Sequence, residues 1–305
     1  MSTSARSPAP WLGPVALSVS NLERSRAFYQ ETLGFQLLQY EHERALLGVD
    51  APLILLIQQP GVQPQPCNNP ATSHVAILLP SRVDMARTLR HLRDGAYPLQ
   101  TALDQDVSEA LYLADPDGNG IEIYRDRPRS AWPWQHGRLQ ATNKSEPLDV
   151  ENLLLELDGS DQAWHGLPPR TRIGHIHLQV TDLARAVAFY RDALGFQESL
   201  TGIPGACFLA AGGYHHHLGL NTEGSREASP LPAGPARLHF FTICLPGEAE
   251  VARMAVRLEA AGIPLARRSE LNILTLCDPD GNSLLVMAGR HQSKEEVMSL
   301  AKLVI

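Results

Sequence analysis

Apolar residues recur at helical spacing in two stretches of the chain that have nearly the same sequence. The first, residues 21–36 (NLERSRAFYQETLGFQ), is repeated at residues 182–197 (DLARAVAFYRDALGFQ). Each begins with a residue type that caps helix N-termini, and each reaches Leu-Gly-Phe, where Gly34 or Gly195 is expected to end the helix. A short strand of alternating apolar residues precedes both helices. The pattern therefore predicts two copies of a strand followed by a helix.

Two further stretches keep this order with a different sequence. Residues 74–80 (HVAILLP) and 240–246 (FFTICLP) predict apolar strands, and a helical stretch follows each of them. Both then run on to an Asp-Pro-Asp-Gly motif, which begins at Asp115 in one copy and at Asp278 in the other. Asp, Pro and Gly favour a tight turn at these positions, and the apolar residues behind the turn predict a final strand.

The chain thus contains four βαβββ units, near residues 11–60, 70–127, 172–222 and 236–290. One such unit has a sheet face that it cannot bury alone, so the units have to pair. The predicted fold class is α+β, with the four units pairing into two curved-sheet domains. The predicted limits are 11–127 for the first two-unit domain, 128–171 for a connector, 172–290 for the second two-unit domain and 291–305 for a helical tail.

Composition narrows the class of protein. The net charge is -7 over 305 residues, without a long basic run, which argues against nucleic acid as the main partner. No apolar run reaches membrane-spanning length and the first residues lack an apolar leader segment, so a cytoplasmic protein is expected. The cysteines have no spacing typical of a metal site, and we expect reduced thiols, mostly in the core. They are Cys67, Cys207, Cys244 and Cys277.

The strands behind the two turn motifs differ in that only the first contains an acidic residue among its apolar positions. The first copy continues Gly-Asn-Gly-Ile-Glu and the second Gly-Asn-Ser-Leu-Leu, so Glu122 stands where the other copy has Leu285. A carboxylate among strand-forming residues costs free energy unless a cation compensates it. The turn needs its Asp and Gly for backbone reasons but does not need this acid. Glu122 is therefore expected to serve the chemistry of the protein.

The four units, the repeated FYxxxLGF helix ends and the two DPDGN turns resemble the vicinal oxygen chelate superfamily. That group includes glyoxalase I, bleomycin-resistance proteins and extradiol ring-cleaving dioxygenases. The segments SEALYLADPDGNGIEIYRDRPRSAW, IGHIHLQVTDL and GGYHHHLGLN are most similar to catechol-2,3-dioxygenases of the CatE type. The resemblance covers nearly the whole chain. It implies a divalent metal held by residues from the first and last strands of two paired units.

Applied to these units, that arrangement selects units two and three. They offer His74 and His175 from first strands and Glu122 from a last strand, whereas units one and four have apolar residues or proline there. Two imidazoles and one carboxylate form the ligand set of non-haem Fe(II) sites, and Mn(II) or another divalent metal is the alternative. His177 shares a strand face with His175 and is an alternative ligand in its place.

The resemblance also implies catalytic roles. Tyr112, three residues before the turn motif, matches the active-site tyrosine of extradiol enzymes. In the run of three histidines before Leu218, it assigns acid–base chemistry to His216 and a supporting role to His215. We expect this run in the last strand of unit three, where successive residues face opposite sides. Relatives often have a histidine at the position of Gln105, which can hydrogen-bond but cannot shuttle a proton at neutral pH.

The resulting hypothesis is metal-dependent extradiol cleavage of a catechol-type aromatic compound by O₂. A small aromatic substrate and O₂ are then the partners, with neither nucleic acid nor a membrane. One alternative is a glyoxalase-like lyase or transferase, for which His217 is the candidate fourth ligand; another is a metal-free protein that binds an aromatic compound or drug. Association into a homo-oligomer stays open, with units one and four as structural filler or a dimer-facing surface.

Overall fold

The fold is known from a computed structural model that describes residues 9–64, 73–135, 138–140, 145–159, 163–200, 204–223, 238–268, 271–289 and 292–303. Every unit has the predicted order of one strand, one helix and three further strands, which confirms the α+β fold class. Unit one consists of the strand Trp11–Val19, the helix Leu22–Ala27 with a π-helical last turn Phe28–Thr32, and the strands Gln36–Glu41, Arg44–Gly48 and Pro52–Gln58. Unit two consists of the strand His74–Leu78, the helix Arg82–Asp94, and the strands Thr101–Gln105, Ser108–Ala114 and Gly120–Asp126.

The second half of the chain repeats this order. Unit three consists of the strand Arg172–Gln179, the helix Leu183–Ala188 with a π-helical last turn Phe189–Ala193, and the strands Gln197–Leu200, Ala206–Ala210 and Leu218–Asn221. Unit four consists of the strand Leu238–Leu245, the helix Glu248–Ala260, and the strands Leu265–Arg268, Ile273–Cys277 and Ser283–Ala288. The connector contains the 3₁₀ turns Arg129–Ala131 and Leu155–Leu157, the short strands Trp134–Gln135, Arg138–Leu139 and Ser145–Pro147, and the helix Val150–Leu154. A terminal helix, Lys294–Leu300, follows unit four, and no described helix is long and apolar enough to cross a membrane.

The repeated helices begin and end where the sequence predicts. The side chains of Asn21 and Asp182 accept hydrogen bonds from backbone N–H groups three residues later, at 2.9 and 3.0 Å. Gly34 and Gly195 follow the helices with φ of +83° and +85°, a conformation that costs glycine no steric strain. The last turn of each helix is wider than an α-helical turn, and the repeated sequence preserves this feature in both copies.

Hydrogen bonding between strands joins units two and three into a nine-stranded sheet and units one and four into an eight-stranded sheet. The junctions are antiparallel pairs of first strands, His74–Leu78 with Arg172–Gln179 and Trp11–Val19 with Leu238–Leu245. Each sheet combines a unit that precedes the predicted connector (128–171) with a unit that follows it. The two units of each predicted domain therefore lie in different sheets. A first strand has an unpaired edge that any other first strand can satisfy, and the sequence pattern does not choose among them.

Consecutive units nevertheless contact each other through side chains, and the predicted domain limits stay a prediction. The hydroxyl of Tyr29 in unit one donates to Asp115 of the unit-two turn at 3.2 Å. In the second half, Tyr190 donates to Asp278 at 2.7 Å. Both tyrosines are completely buried. The repeated Phe-Tyr pair and the aspartates of the turn motif therefore belong to the scaffold.

The cleft of the sheet formed by units one and four is filled by the protein itself. Leu285 and Phe240, at the positions of Glu122 and His74 in unit two, are fully buried in one apolar cluster with residues of the terminal helix. These helix residues are Val297, Met298 and Leu300. Of the two interpretations of this unit pair, the described structure supports structural filler, with the tail as part of the filling.

The cysteines follow the expectation in part. Cys207 and Cys244 are free and buried, whereas Cys277 is free and exposed. Cys277 is the last residue of its strand, and side chains at a strand end are less covered than those at its centre. The expectation of a core position is therefore wrong for this residue, and Cys67 lies outside the described residues.

Candidate metal centre

The site lies at the junction of units two and three, where direct strand partners form a row across four strands. The row consists of Tyr112, Glu122, Ala76 and His175. Because Ala76 has only a methyl group, nothing larger than a Cβ stands between Glu122 and His175 in this row. The Oε2 atom of Glu122 lies 2.9 Å from Nε2 of His175 and 2.8 Å from Nε2 of His74. The structure thus brings the three predicted ligands together around one carboxylate oxygen.

Burial and charge determine the state of this cluster. His74, Glu122 and His175 are each at most 4% exposed. Burial alone would raise the pKa of Glu122, but the two imidazoles, His175 first, outweigh it and hold this pKa well below its ordinary value. Burial lowers the pKa of His175, although the adjacent carboxylate opposes the shift. The ionised carboxylate of Glu122 presents lone pairs, as a metal ligand must.

Tyr112 lies where the sequence predicts, opposite Glu122 on the neighbouring strand. Its ring centroid is 5.5 Å from that of His74, and the side chain is almost fully buried. Burial, and then the carboxylate of Glu122, raise the pKa of Tyr112 well above its ordinary value, while an interaction with Gln105 opposes the shift. The hydroxyl therefore stays protonated and can donate. Gln105, the predicted departure from the family pattern, lies beside it.

The run of histidines is not part of the last strand of unit three, as was expected, but precedes it. That strand begins at Leu218, and two glycines with positive φ, Gly212 and Gly213, turn the chain before the run. His215 and His216 consequently do not alternate between two faces. Their Nδ1 atoms lie 2.8 Å apart, and the ring centroid of His216 is 4.1 Å from that of His175.

His217, the candidate fourth ligand, points elsewhere. Its Nδ1 accepts the backbone N–H of Ala211 at 3.2 Å, and its ring lines a cavity between the two sheets together with Trp11 and Cys244. Burial lowers the pKa of His217 to about 3, so this imidazole is a neutral part of the packing. It is absent from the described group of histidines that can share an ion.

His177, rather than His217, lies where it could serve as a further metal ligand. One nitrogen each of His74, His175 and His177 lie within 4.8 Å of one another. The ring of His177 stacks on His74 with centroids 4.3 Å apart, and its Nε2 lies 3.0 Å from Nε2 of His216. Burial lowers the pKa of His177 well below its ordinary value, followed by the neighbouring histidines. A neutral third imidazole thus borders the cluster.

A second row of direct strand partners explains how His177 reaches this place. It consists of Phe208, Gly219, His177 and His74, and it repeats the first row with the two units exchanged. Glu122 beside Ala76 in unit two corresponds to Gly219 beside His177 in unit three. A Cβ on Gly219 would lie only 2.4 Å from Nε2 of His177. An alignment of the two units in the sequence could have shown the place of His177, because Glu122 and Ala76 of unit two correspond to Gly219 and His177 of unit three.

Replacing Gly219 with alanine is expected to push the ring of His177 out of its place and away from His216. We expect the affinity for Mn(II), followed by electron paramagnetic resonance, to fall by about tenfold, because groups that border metal ligands affect binding on this scale. The control is Gly95→Ala, where the nearest atom to a new Cβ is 3.3 Å away. If Gly219→Ala bound Mn(II) as tightly as the wild type, the position of the His177 ring over this glycine would not matter for metal binding.

Aromatic rings form the wall around the histidines. Trp132 of the connector packs its ring edge-on against His215 with centroids 5.3 Å apart. Phe208 makes similar edge contacts, at 5.0 Å to His216 and 5.5 Å to His177. The connector therefore contributes to the site directly, which the division into units and connector did not predict. These aromatic rings therefore enclose the histidines.

Known proteins resemble this chain in sequence and in fold. A catechol-2,3-dioxygenase of Bacillus subtilis is 41% identical over 259 residues, which are 82% of this chain and 88% of that protein. A biphenyl-2,3-diol 1,2-dioxygenase of Rhodococcus globerulus is 26% identical over 45% of this chain and 76% of its own length. Glyoxalase I of Zea mays has the same fold, with a TM-score of 0.55 at 17% identity, covering 97% of this chain and 96% of that chain.

The family match agrees with the units. Residues 11–123 and 172–285 match the Glyoxalase/Bleomycin resistance protein/Dioxygenase superfamily, so both halves of the chain are covered and the connector lies between them. The resemblance on which the predicted site depends is thereby confirmed. This chain belongs to the Glyoxalase/Bleomycin resistance protein/Dioxygenase superfamily.

Proposed function

We propose that this protein is an extradiol dioxygenase that opens the ring of a catechol-type compound with O₂. The observation that carries the proposal is the meeting of His74, His175 and Glu122 at one carboxylate oxygen, at 2.8 and 2.9 Å. The 41% identity to a catechol-2,3-dioxygenase supports the reaction class. Similarity to the maize glyoxalase supports only the fold.

The donor set fits a divalent metal. Two neutral imidazoles and one carboxylate are typical of non-haem iron sites, which keep further positions for substrate and O₂. We therefore assign His74, His175 and Glu122 as ligands of Fe(II), with Mn(II) or another divalent metal as the alternative. The bound ion would supply Lewis acidity and the electron transfer that O₂ chemistry requires.

The surrounding side chains would bind the substrate and move its protons. The hydroxyl of Tyr112, kept protonated by burial beside Glu122, would donate a hydrogen bond to a substrate oxygen. His216, whose ring lies against that of His175, would accept a proton from the catechol and return it during ring opening. His215, in contact with His216 through Nδ1, would hold that ring in position. The rings of Phe208 and Trp132 would exclude water.

His177 gives a second candidate function its basis. A glyoxalase-like lyase or transferase would need a fourth protein ligand, and the position of His177 could supply it. Oxygen consumption separates the two functions, because only the dioxygenase incorporates O₂. Binding of metal in a one-to-one ratio separates both from a metal-free binding protein.

The test is to purify the protein anaerobically, load it with Fe(II), and follow metal content and O₂ uptake with catechol and alkylcatechols. We expect one iron per chain, one O₂ consumed per catechol, and a yellow 2-hydroxymuconic semialdehyde-type product. With ¹⁸O₂, both heavy atoms should appear in the product, because extradiol cleavage adds the whole molecule to the ring. Bound metal without O₂ uptake would favour the lyase, and no bound metal would overturn the ligand assignment.

A further inference from the structure

A continuous line of hydrogen-bonding contacts leads from the candidate site to Asp126. Nε2 of His177 lies 3.0 Å from Nε2 of His216, and Nδ1 of His216 lies 2.8 Å from Nδ1 of His215. Nε2 of His215 in turn lies 2.8 Å from Oδ1 of Asp126. His215 and His216 are both buried. These two rings use both of their nitrogens within the line, whereas His177 uses only Nε2.

Asp126 determines the direction of donation along this line. A carboxylate can only accept, so Nε2 of His215 has to carry the proton of that contact. When the ring of His215 carries only this one proton, its lone pair is on Nδ1, and Nδ1 of His216 donates to it. His216 consequently has its lone pair on Nε2, the atom that faces His177. One acceptor at the far end thus sets the tautomers of both rings.

We infer that Asp126 is a positioning residue that fixes His215 and His216 in the tautomers whose outer lone pair, on Nε2 of His216, is directed to His177 beside the proposed ligands. This inference deepens the proposed function, because His216 can remove a proton from the substrate only in that tautomer. Asp126 itself touches neither the proposed ligands nor, in this arrangement, the substrate.

Other contacts hold Asp126 and His215 in this geometry. The hydroxyl of Tyr214 donates to Oδ2 of Asp126 at 2.9 Å and lies 2.8 Å from the hydroxyl of Tyr124. The same hydroxyl lies 3.2 Å from Oδ1, so the oxygen that His215 contacts also lies near Tyr214, while Oδ2 is the nearer acceptor of the hydroxyl. Trp132 covers His215 from the connector side, which keeps water from competing for the nitrogens. Fixing a tautomer in this way is the usual contribution of a carboxylate behind an imidazole.

The test is a ¹⁵N spectrum of the imidazoles in the Zn(II)-loaded protein, with resonances assigned by His215→Gln and His216→Gln. In the wild type we expect His215 to carry its proton on Nε2 and His216 on Nδ1. In Asp126→Asn, the amide can donate to His215, and we expect a large part of both rings to change to the opposite tautomer. Tyr214→Phe is the matched control, because it removes the other contact of Asp126 and leaves the acceptor for His215.

Two outcomes would overturn the inference. One is a wild-type spectrum with the proton of His216 on Nε2, which tests the inference even where Asp126→Asn does not fold. The other is an Asp126→Asn spectrum with unchanged tautomers. In turnover with a catechol we expect Asp126→Asn to lower kcat by about 10- to 100-fold with little change in KM or iron content. The spectrum does not depend on turnover, so a failure of the proposed function is distinguishable from a failure of this inference.

Discussion

Glu122→Gln is expected to lose both metal binding and O₂ uptake. Oε2 of Glu122 is the point at which His74 and His175 converge, and the group is 1% exposed, so solvent cannot replace it. An amide of the same size keeps one oxygen but removes the negative charge that offsets the charge of a divalent ion. We expect metal affinity to fall by more than about 100-fold, since even groups that only support a ligand contribute 10- to 100-fold. Metal content after anaerobic loading and O₂ uptake with catechol measure the two effects.

Glu109→Gln provides the matched control for this prediction. Glu109 is also buried, at 2% exposed, and lies on the neighbouring strand, but it contacts Arg125 and Arg82 at 2.7 and 3.0 Å. Arg127 also lies 3.8 Å from Glu109, so removing its charge takes this partner from three guanidinium groups, and the variant should lose folding stability and keep its metal. If Glu122→Gln instead binds iron like the wild type and consumes O₂, Glu122 is not a ligand.

The comparison of repeated motifs in the sequence identified the scaffold residues of the two turns, and it singled out Glu122 as the position that only one copy has. Asp115 belongs to the scaffold, because its carboxylate accepts from Tyr29 and from backbone N–H groups of its own turn. Glu122, which the second copy lacks, lies instead among histidines. A repeat provides an internal reference of this kind, since positions that the fold needs recur and positions that only one unit uses do not.

The pairing of unit one with unit four could not be predicted in this way. All four first strands have similar apolar sequences and an edge to satisfy, and their order in space depends on how the helices and the connector pack. For the same reason the role of Trp132 was missed. Residues in a connector have no periodic pattern to interpret, and their contacts depend entirely on tertiary packing.

His177 was recognised only as an alternative to His175, because its position depends on space rather than on a motif. The ring fits where it does since Gly219 has no Cβ, and the exchange of Glu-Ala for Gly-His becomes visible only when units two and three are aligned strand by strand. The histidine run was placed in a strand because the alternation of faces was assumed. The positive φ of Gly212 and Gly213 ends that alternation before the run begins.

His216→Gln is expected to keep the metal and lose the reaction. Glutamine can still hydrogen-bond to His215 and His177, but it cannot accept a proton and return it. Loss of a positioned acid–base group costs about 10²- to 10⁴-fold in rate, and we expect kcat to fall within this range. Iron content should match the wild type, because the nitrogens of His216 are directed to His215 and His177 rather than to Glu122. Metal analysis and steady-state O₂ uptake on the same preparation test both statements.

His217→Gln is the control, since it makes the same change at the next residue. His217 packs toward the cavity between the sheets, and the glutamine oxygen can still accept the backbone N–H of Ala211. This variant should keep kcat within about twofold of the wild type, as is usual for a polar substitution that preserves a hydrogen bond away from the site. If His217→Gln lowered kcat as far as His216→Gln while iron content stayed constant, the acid–base role could not be assigned to His216 rather than to His217. Equal activity of His216→Gln and the wild type would overturn the acid–base role of His216.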